Sequence, residues 1–105
     1  MKKQGKISVR FFLNKNVMPF TPPLLRGTKL YPLYIQVTYN RRNTQFRSEE
    51  GNCYTSIEEA YKIDRKKIEN EESLIKKIVQ FEIEHFKQDY QLAGLVDRYW
   101  VFLLL

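Results

Sequence analysis

The sequence predicts an α+β domain, a three-stranded antiparallel β-sheet packed against one or two C-terminal α-helices. Three observations carry this. Lys6 to Leu13 and Leu33 to Ser48 alternate apolar with polar residues at period two, the signature of half-buried strands. From Ser56 onward apolar residues recur at helical spacing. Charge changes between the two halves: residues 1–48 contain ten lysines and arginines and no acid, whereas from Gly51 onward eight basic residues face ten acidic ones. With Glu49 and Glu50 counted, the first fifty residues stand near +8 and the remainder near −2, which gives the net +6 of the chain. At 105 residues the expectation is one domain. It is drawn as residues 1–92, a basic sheet-plus-helix unit, followed by an apolar tail at 93–105.

On the first strand Ile7, Val9, Phe11 and Leu13 point one way, and Lys6, Ser8, Arg10 and Phe12 the other. Residues 14–32 then bring Pro19, Pro22, Pro23, Gly27 and Pro32. Prolines remove donors and fix φ, so a long irregular connection is expected. It exceeds an ordinary hairpin loop, which points to a β-arm or a ligand-contacting loop. Leu33 to Ser48 reads as a hairpin with Leu33, Ile35, Val37 and Tyr39 on one face. A two-residue turn at Arg41-Arg42 would pair Asn40 with Asn43, Tyr39 with Thr44 and Val37 with Phe46. Tight hairpins prefer Asn or Gly at the turn, so the alternative is a turn over Asn40 to Asn43, with the asparagines taking the left-handed positions.

A turn around Gly51 and Asn52 follows. Ser56-Ile57-Glu58-Glu59 is a capping box, in which hydroxyl and carboxylate each satisfy a free backbone N–H. Ile57, Ala60, Tyr61 and Ile68 continue at helical spacing. Asn70 to Ser73 either interrupts the helix or lies on its wet face. Leu74, Ile75, Ile78, Val79, Phe86 and Tyr90 form a broad apolar stripe that Phe81 and Ile83 widen. Gly94 is expected to stop the helix. The apolar run Tyr99 to Leu105 is expected as a packed final segment, or as a stretch that a natural continuation of the chain would cover. Neither it nor any other stretch approaches the ~20 apolar residues of a membrane span.

No catalytic constellation is visible, and neither an enzyme activity nor a cofactor is expected. His85 is the sole histidine, and a metal site needs three or four ligands. Cys53 is the sole cysteine, so no intramolecular disulfide can form, which fits a reducing cytoplasmic setting. Lys2 and Lys3 precede alternating residues rather than an unbroken apolar run, so no secretory leader is expected. Glu82 and Glu84, two apart on a helix, diverge. The four glycines are scattered and form no phosphate-cradling loop.

What remains is the outer face of the sheet. Ser8, Arg10, Tyr34, Gln36, Thr38, Gln45 and Arg47 collect there, with Arg41 and Arg42 at the hairpin tip. Arginine can take guanine bidentately, glutamine can take adenine, and threonine can touch a thymine methyl. Every half-wet sheet has a polar face, but an ordinary solvated face mixes charge signs. The expected partner is therefore double-stranded DNA. An acidic protein partner of an accessory module is the alternative. RNA, stacked on Phe12 and Tyr34, is a third reading.

Two stretches carry a family resemblance: Lys6-Ile7-Ser8-Val9-Arg10-Phe11-Phe12-Leu13, and the run from Tyr31-Pro32-Leu33-Tyr34 through Asn40-Arg41-Arg42-Asn43 to Phe46. In this order of strand, proline-bearing connection, hairpin and helix the chain resembles the N-terminal arm-type DNA-binding domain of tyrosine recombinases. These are the integrases of bacterial mobile elements, especially those of Bacteroidetes conjugative transposons. The resemblance covers about residues 6 to 90. It implies a three-stranded sheet lying in the major groove of arm sites, with a helix on the opposite face and other integrase domains or protomers as partners. Two positions depart from the family pattern: Arg41-Arg42 stands where the turn glycine is usual, and Tyr54 is the aromatic nearest to a usual tryptophan. The family's catalytic arginines, histidine and tyrosine have no counterpart, so the resemblance implies binding of DNA without cleavage.

Overall fold

Alternation in the first half of the chain produces strands β1 (Ser8–Leu13), β2 (Tyr31–Tyr39) and β3 (Arg42–Arg47), antiparallel in the order β1-β2-β3. A two-residue strand β4 (Cys53–Tyr54) pairs with the start of β2. The helices are α1 (Ile57–Phe86) and α2 (Leu95–Leu104), joined through a 3-10 turn at Lys87–Asp89. The computed structural model describes residues 6–21 and 27–104, the side chains of Gln88 and residues 102–104 excepted. Lys2, Lys3, Pro22, Pro23, Arg26 and Leu105 lie outside the described residues. The architecture is α+β, as the two periodicities predict. No helix among the described residues is long and apolar enough to cross a membrane.

The inner sheet face is the predicted one. Phe11, Leu33, Ile35, Val37 and Phe46 are buried, and Ile7, Val9, Leu13 and Tyr39 pack against them. The hairpin register differs from the expected pairing by two residues. Tyr39 pairs with Arg42, Thr38 with Asn43 and Ile35 with Phe46, so the turn is Asn40-Arg41. A slip of two leaves every side chain on its own face, because the strand period is two. Both turn residues have positive φ, 51° at Asn40 and 63° at Arg41, as a type I′ turn demands. A turn at Arg41-Arg42 would force two arginines into the left-handed region; the observed one places asparagine, which tolerates it, at the first position.

Helix α1 runs unbroken in hydrogen bonding across Asn70 to Ser73, with one non-helical residue at Asp64 (φ −123°, ψ 31°). Ser56 caps it by accepting from Glu59 N–H at 3.1 Å, while the Glu59 carboxylate reaches back to Thr55 N–H at 3.1 Å. The helix ends at Phe86 with Lys87 as C-cap, φ 51°. Gly94 begins α2 rather than stopping α1: its carbonyl accepts from Asp97 and Arg98 N–H. Phe81 and Phe86, expected in the buried stripe, are exposed. Leu92, Leu95 and Tyr99 sit in the same core as the sheet, and the Tyr99 ring lies 5.7 Å from that of Phe46. The segment expected as an apolar tail is thus joined to the sheet-plus-helix unit.

Two carboxylates cross this core. Glu71 is 1% exposed and is not on a wet face: it accepts from Ser48 Oγ, from Glu49 N–H at 2.8 Å and from Tyr99 O–H at 2.7 Å. Glu82 accepts from Tyr90 O–H at 3.0 Å and from Arg98 Nε at 2.7 Å. Arg98 also donates to the carbonyls of Gln91 and Ala93, which staples the link between the helices to α1. Gly51 closes the turn after β3 against Leu33. A Cβ there would lie 2.6 Å from Leu33 Cδ2 and 3.0 Å from Ser48 Oγ, so a larger residue would have to push these buried side chains aside.

Tyrosine hydroxyls tie the layers together, and this gives the fold an alkaline limit. Burial, then the bond to Asp64, pushes Tyr54 up to about 12. Burial, then the Glu82 charge, does the same for Tyr90. Burial and the bond to Glu71 raise Tyr99 further. Free tyrosine ionises near pH ~10. Above that pH the unfolded state gives up these protons first, so it binds fewer protons than the folded state and stability falls as pH rises. The contribution is fully present below pH ~10 and is lost on the way to 12. The urea midpoint followed by far-UV circular dichroism should therefore fall as pH rises from ~9 to ~12. A midpoint that does not change over that range would contradict the buried hydroxyl network.

Candidate nucleic-acid interface

The register arranges the outer face as three rungs across β1, β2 and β3. They are Ser8–Thr38–Asn43, Arg10–Gln36–Gln45 and Phe12–Tyr34–Arg47. Their side chains point away from α1 because their neighbours along each strand fill the core. Seven of the nine predicted residues come together here: Ser8, Arg10, Tyr34, Gln36, Thr38, Gln45 and Arg47. Ser8, Arg10, Gln45 and Arg47 are exposed, and the three on the central strand are half-buried between their neighbours. Arg41 stands in the turn, exposed. Arg42 is separated from the group. As the partner of Tyr39 it falls on the helix side of the sheet, where it borders a cleft with Tyr39, Thr44 and Tyr90.

Two further residues complete the face: Asn43, which the sequence reading does not place on it, and Phe12, which it places there as a contact only in the RNA reading. Asn43 was assigned beside the turn but lies within β3, opposite Thr38. Phe12 stands opposite Tyr34, their ring centroids 6.1 Å apart. The signal for both was present as alternation parity. The Arg10 guanidinium lies over the Phe12 ring at 5.5 Å, a contact that orients the cation while leaving its N–H groups free. Gln45 Nε2 donates to Gln36 Oε1 at 2.8 Å. Arg47 approaches Cys53 Sγ at 4.0 Å.

The first part of the long connection forms an arm at one end of this face. Phe20 and Leu30 exchange two backbone hydrogen bonds of 2.8 Å each. Met18 is 91% and Phe20 55% exposed. A cleft of about 480 Å³ separates the arm from Tyr34, Arg47 and Cys53.

Chemically, the face offers donors and acceptors of the kinds that read base edges, with no carboxylate among its nine residues. Lys6, Lys15, Lys29 and Arg41 are exposed at the strand ends. Three strands at ~4.8 Å spacing make a ribbon about 10 Å across, which fits a major groove about 12 Å wide. Among the described residues no three His, Cys, Asp or Glu side chains converge as a metal site would require. No protein-family model, curated protein or solved structure matches the chain.

Proposed function

We propose that this chain binds double-stranded DNA in the cytoplasm and reads its sequence with the outer face of the β1–β3 sheet. It would serve as the arm-site-binding module of a mobile-element integrase. One observation supports the reading above the rest: the register collects Arg10, Gln36, Thr38, Asn43, Gln45 and Arg47 on one acid-free face. In this reading Arg10, Gln36, Thr38 and Arg47 reach base edges. Arg41 and the lysines at the strand ends hold phosphates, which positions the sheet without specifying sequence. The aromatic pair Phe12–Tyr34 favours a second reading, in which unpaired bases stack on the face. Titrations with duplex and with single strands at equal salt separate the two.

Substitutions separate base contacts from phosphate contacts. Arg47→Ala should cost ~1–3 kcal/mol on the preferred duplex and relax the preference, because a base contact is lost. Arg41→Gly should weaken binding to all duplexes alike and lower the salt slope by about one unit. The same change relieves a non-glycine residue at φ 63°, so the variant should be more stable by up to ~1 kcal/mol. Fluorescence titrations on preferred and scrambled duplexes, with a thermal melt of each variant, check both arms. Equal losses on every duplex for both variants would make the sheet a nonspecific clamp. No loss in either would leave the outer face as only the solvated side of a sheet.

A further inference from the structure

The bond between Gln36 and Gln45 narrows what the centre of the face can recognise; the step rests on the duplex-binding reading above. The two amides face each other across β2 and β3, with Gln45 Nε2 donating to Gln36 Oε1. An amide carries two hydrogens on nitrogen and two lone pairs on oxygen. The bond consumes one hydrogen of Gln45 and one lone pair of Gln36. The bond leaves the Gln45 carbonyl oxygen and the Gln36 NH2 wholly uncommitted, together with the second Gln45 hydrogen and the second Gln36 lone pair. Exchanging N and O in both amides only swaps the names: one uncommitted donor group and one uncommitted acceptor remain. Gln36 is half-buried on the central strand, between Gln45 on one side and Arg10 on the other. The amides are therefore partly ordered before any ligand arrives, which lowers the entropic cost of binding.

The major-groove edges of the bases differ in what they present. Adenine shows an acceptor, N7, beside a donor, the N6 amino group. Guanine shows two acceptors, cytosine a donor, and thymine an acceptor beside a methyl group. We propose that Gln36 and Gln45 act as one unit that reads a single adenine. Gln36 Nε2 donates to N7, and Gln45 Oε1 accepts from N6. In this pose guanine is disfavoured because its O6 would meet the Gln45 oxygen, acceptor against acceptor. A lone glutamine can present the same pattern, but here one Gln45 hydrogen and one Gln36 lone pair are already engaged with each other, so the amino group and the carbonyl that keep their full capacity lie on different residues. The recognition is therefore shared, and both side chains specify the same base rather than two neighbouring ones.

The test selects preferred sites from a random duplex library with the full chain. Affinities of Gln36→Ala, Gln45→Ala and the double variant are then measured on that site and its single-base changes. The expected site contains an adenine whose change to guanine weakens the native protein roughly tenfold or more. Each single variant should lose that preference at the same position, and the double variant should lose nothing further. Replacing that adenine with 7-deazaadenine, which lacks the N7 acceptor, should weaken the native protein several-fold and leave Gln36→Ala unaffected. The native-protein half of this arm needs no altered protein to fold. The proposal is overturned if the two variants relax different positions, if neither changes any preference, or if the shared position prefers guanine, cytosine or thymine. In each of those cases duplex binding itself stands. Failure of the native chain to bind any duplex at low salt would instead overturn the duplex reading, and the adenine assignment with it.

Discussion

Glu71→Ala is expected to destabilise the chain by about 3–5 kcal/mol, a large share of the ~5–15 kcal/mol that holds a domain together. Glu71 is buried at the meeting point of three elements: the turn after β3, the middle of α1, and α2. Its removal strands the Ser48 hydroxyl, the Glu49 N–H and the Tyr99 hydroxyl. A buried donor without an acceptor costs ~1–3 kcal/mol. Conservative changes should grade the effect. Tyr99→Phe removes one donor and should cost ~1–2 kcal/mol. Glu71→Gln keeps one oxygen for Glu49 N–H and Tyr99 O–H, and its amino group can donate to Ser48 Oγ. It should therefore cost less than alanine. Urea denaturation of the three variants checks the order. A loss below ~1 kcal/mol for Glu71→Ala would mean that water or rearranged side chains take over the three donors.

The largest effect on binding is expected from salt. If Lys6, Lys15, Lys29 and Arg41 together with one face arginine neutralise about five phosphates, log K should fall with log salt at a slope near −4 to −5. Raising monovalent salt from ~50 to ~200 mM then weakens duplex binding roughly 250- to 1,000-fold. Fluorescence anisotropy across that range measures the slope. A flat response, or equal affinity for an acidic protein, would favour the protein-interaction reading.

The two periodicities made the inner and outer faces of the sheet legible from sequence. Every strand residue assigned to the core side, from Ile7 to Phe46, lies there because alternation parity survives a register shift of two. The turn was harder to locate, since Asn40, Arg41, Arg42 and Asn43 offer no glycine to mark it. Arg42 consequently moved from the tip to the helix side. Glu71 was misplaced for a different reason. Polarity argued for the wet face, but Ile68, Glu71, Ile75, Ile78 and Glu82 follow a strict three-four spacing, the pattern of one helix face. Spacing, not polarity, was the reliable signal. The partners that make those carboxylates tolerable, Tyr99, Tyr90 and Arg98, lie up to 28 residues away, beyond the reach of any local pattern. Phe81 and Phe86 misled in the opposite sense, as large apolar residues that the geometry of α1 leaves outside the core.

The outer-face assignment is tested most directly by mapping amide chemical-shift changes on the nitrogen-15-labelled full chain as a selected duplex is added at low salt. The account predicts that the largest changes fall on residues 8–12, 34–38 and 43–47, the three strands of the reading face. Changes centred instead on the exposed side of α1 around Ile63, Phe81 and Phe86, or none at all with duplex in excess, would contradict it.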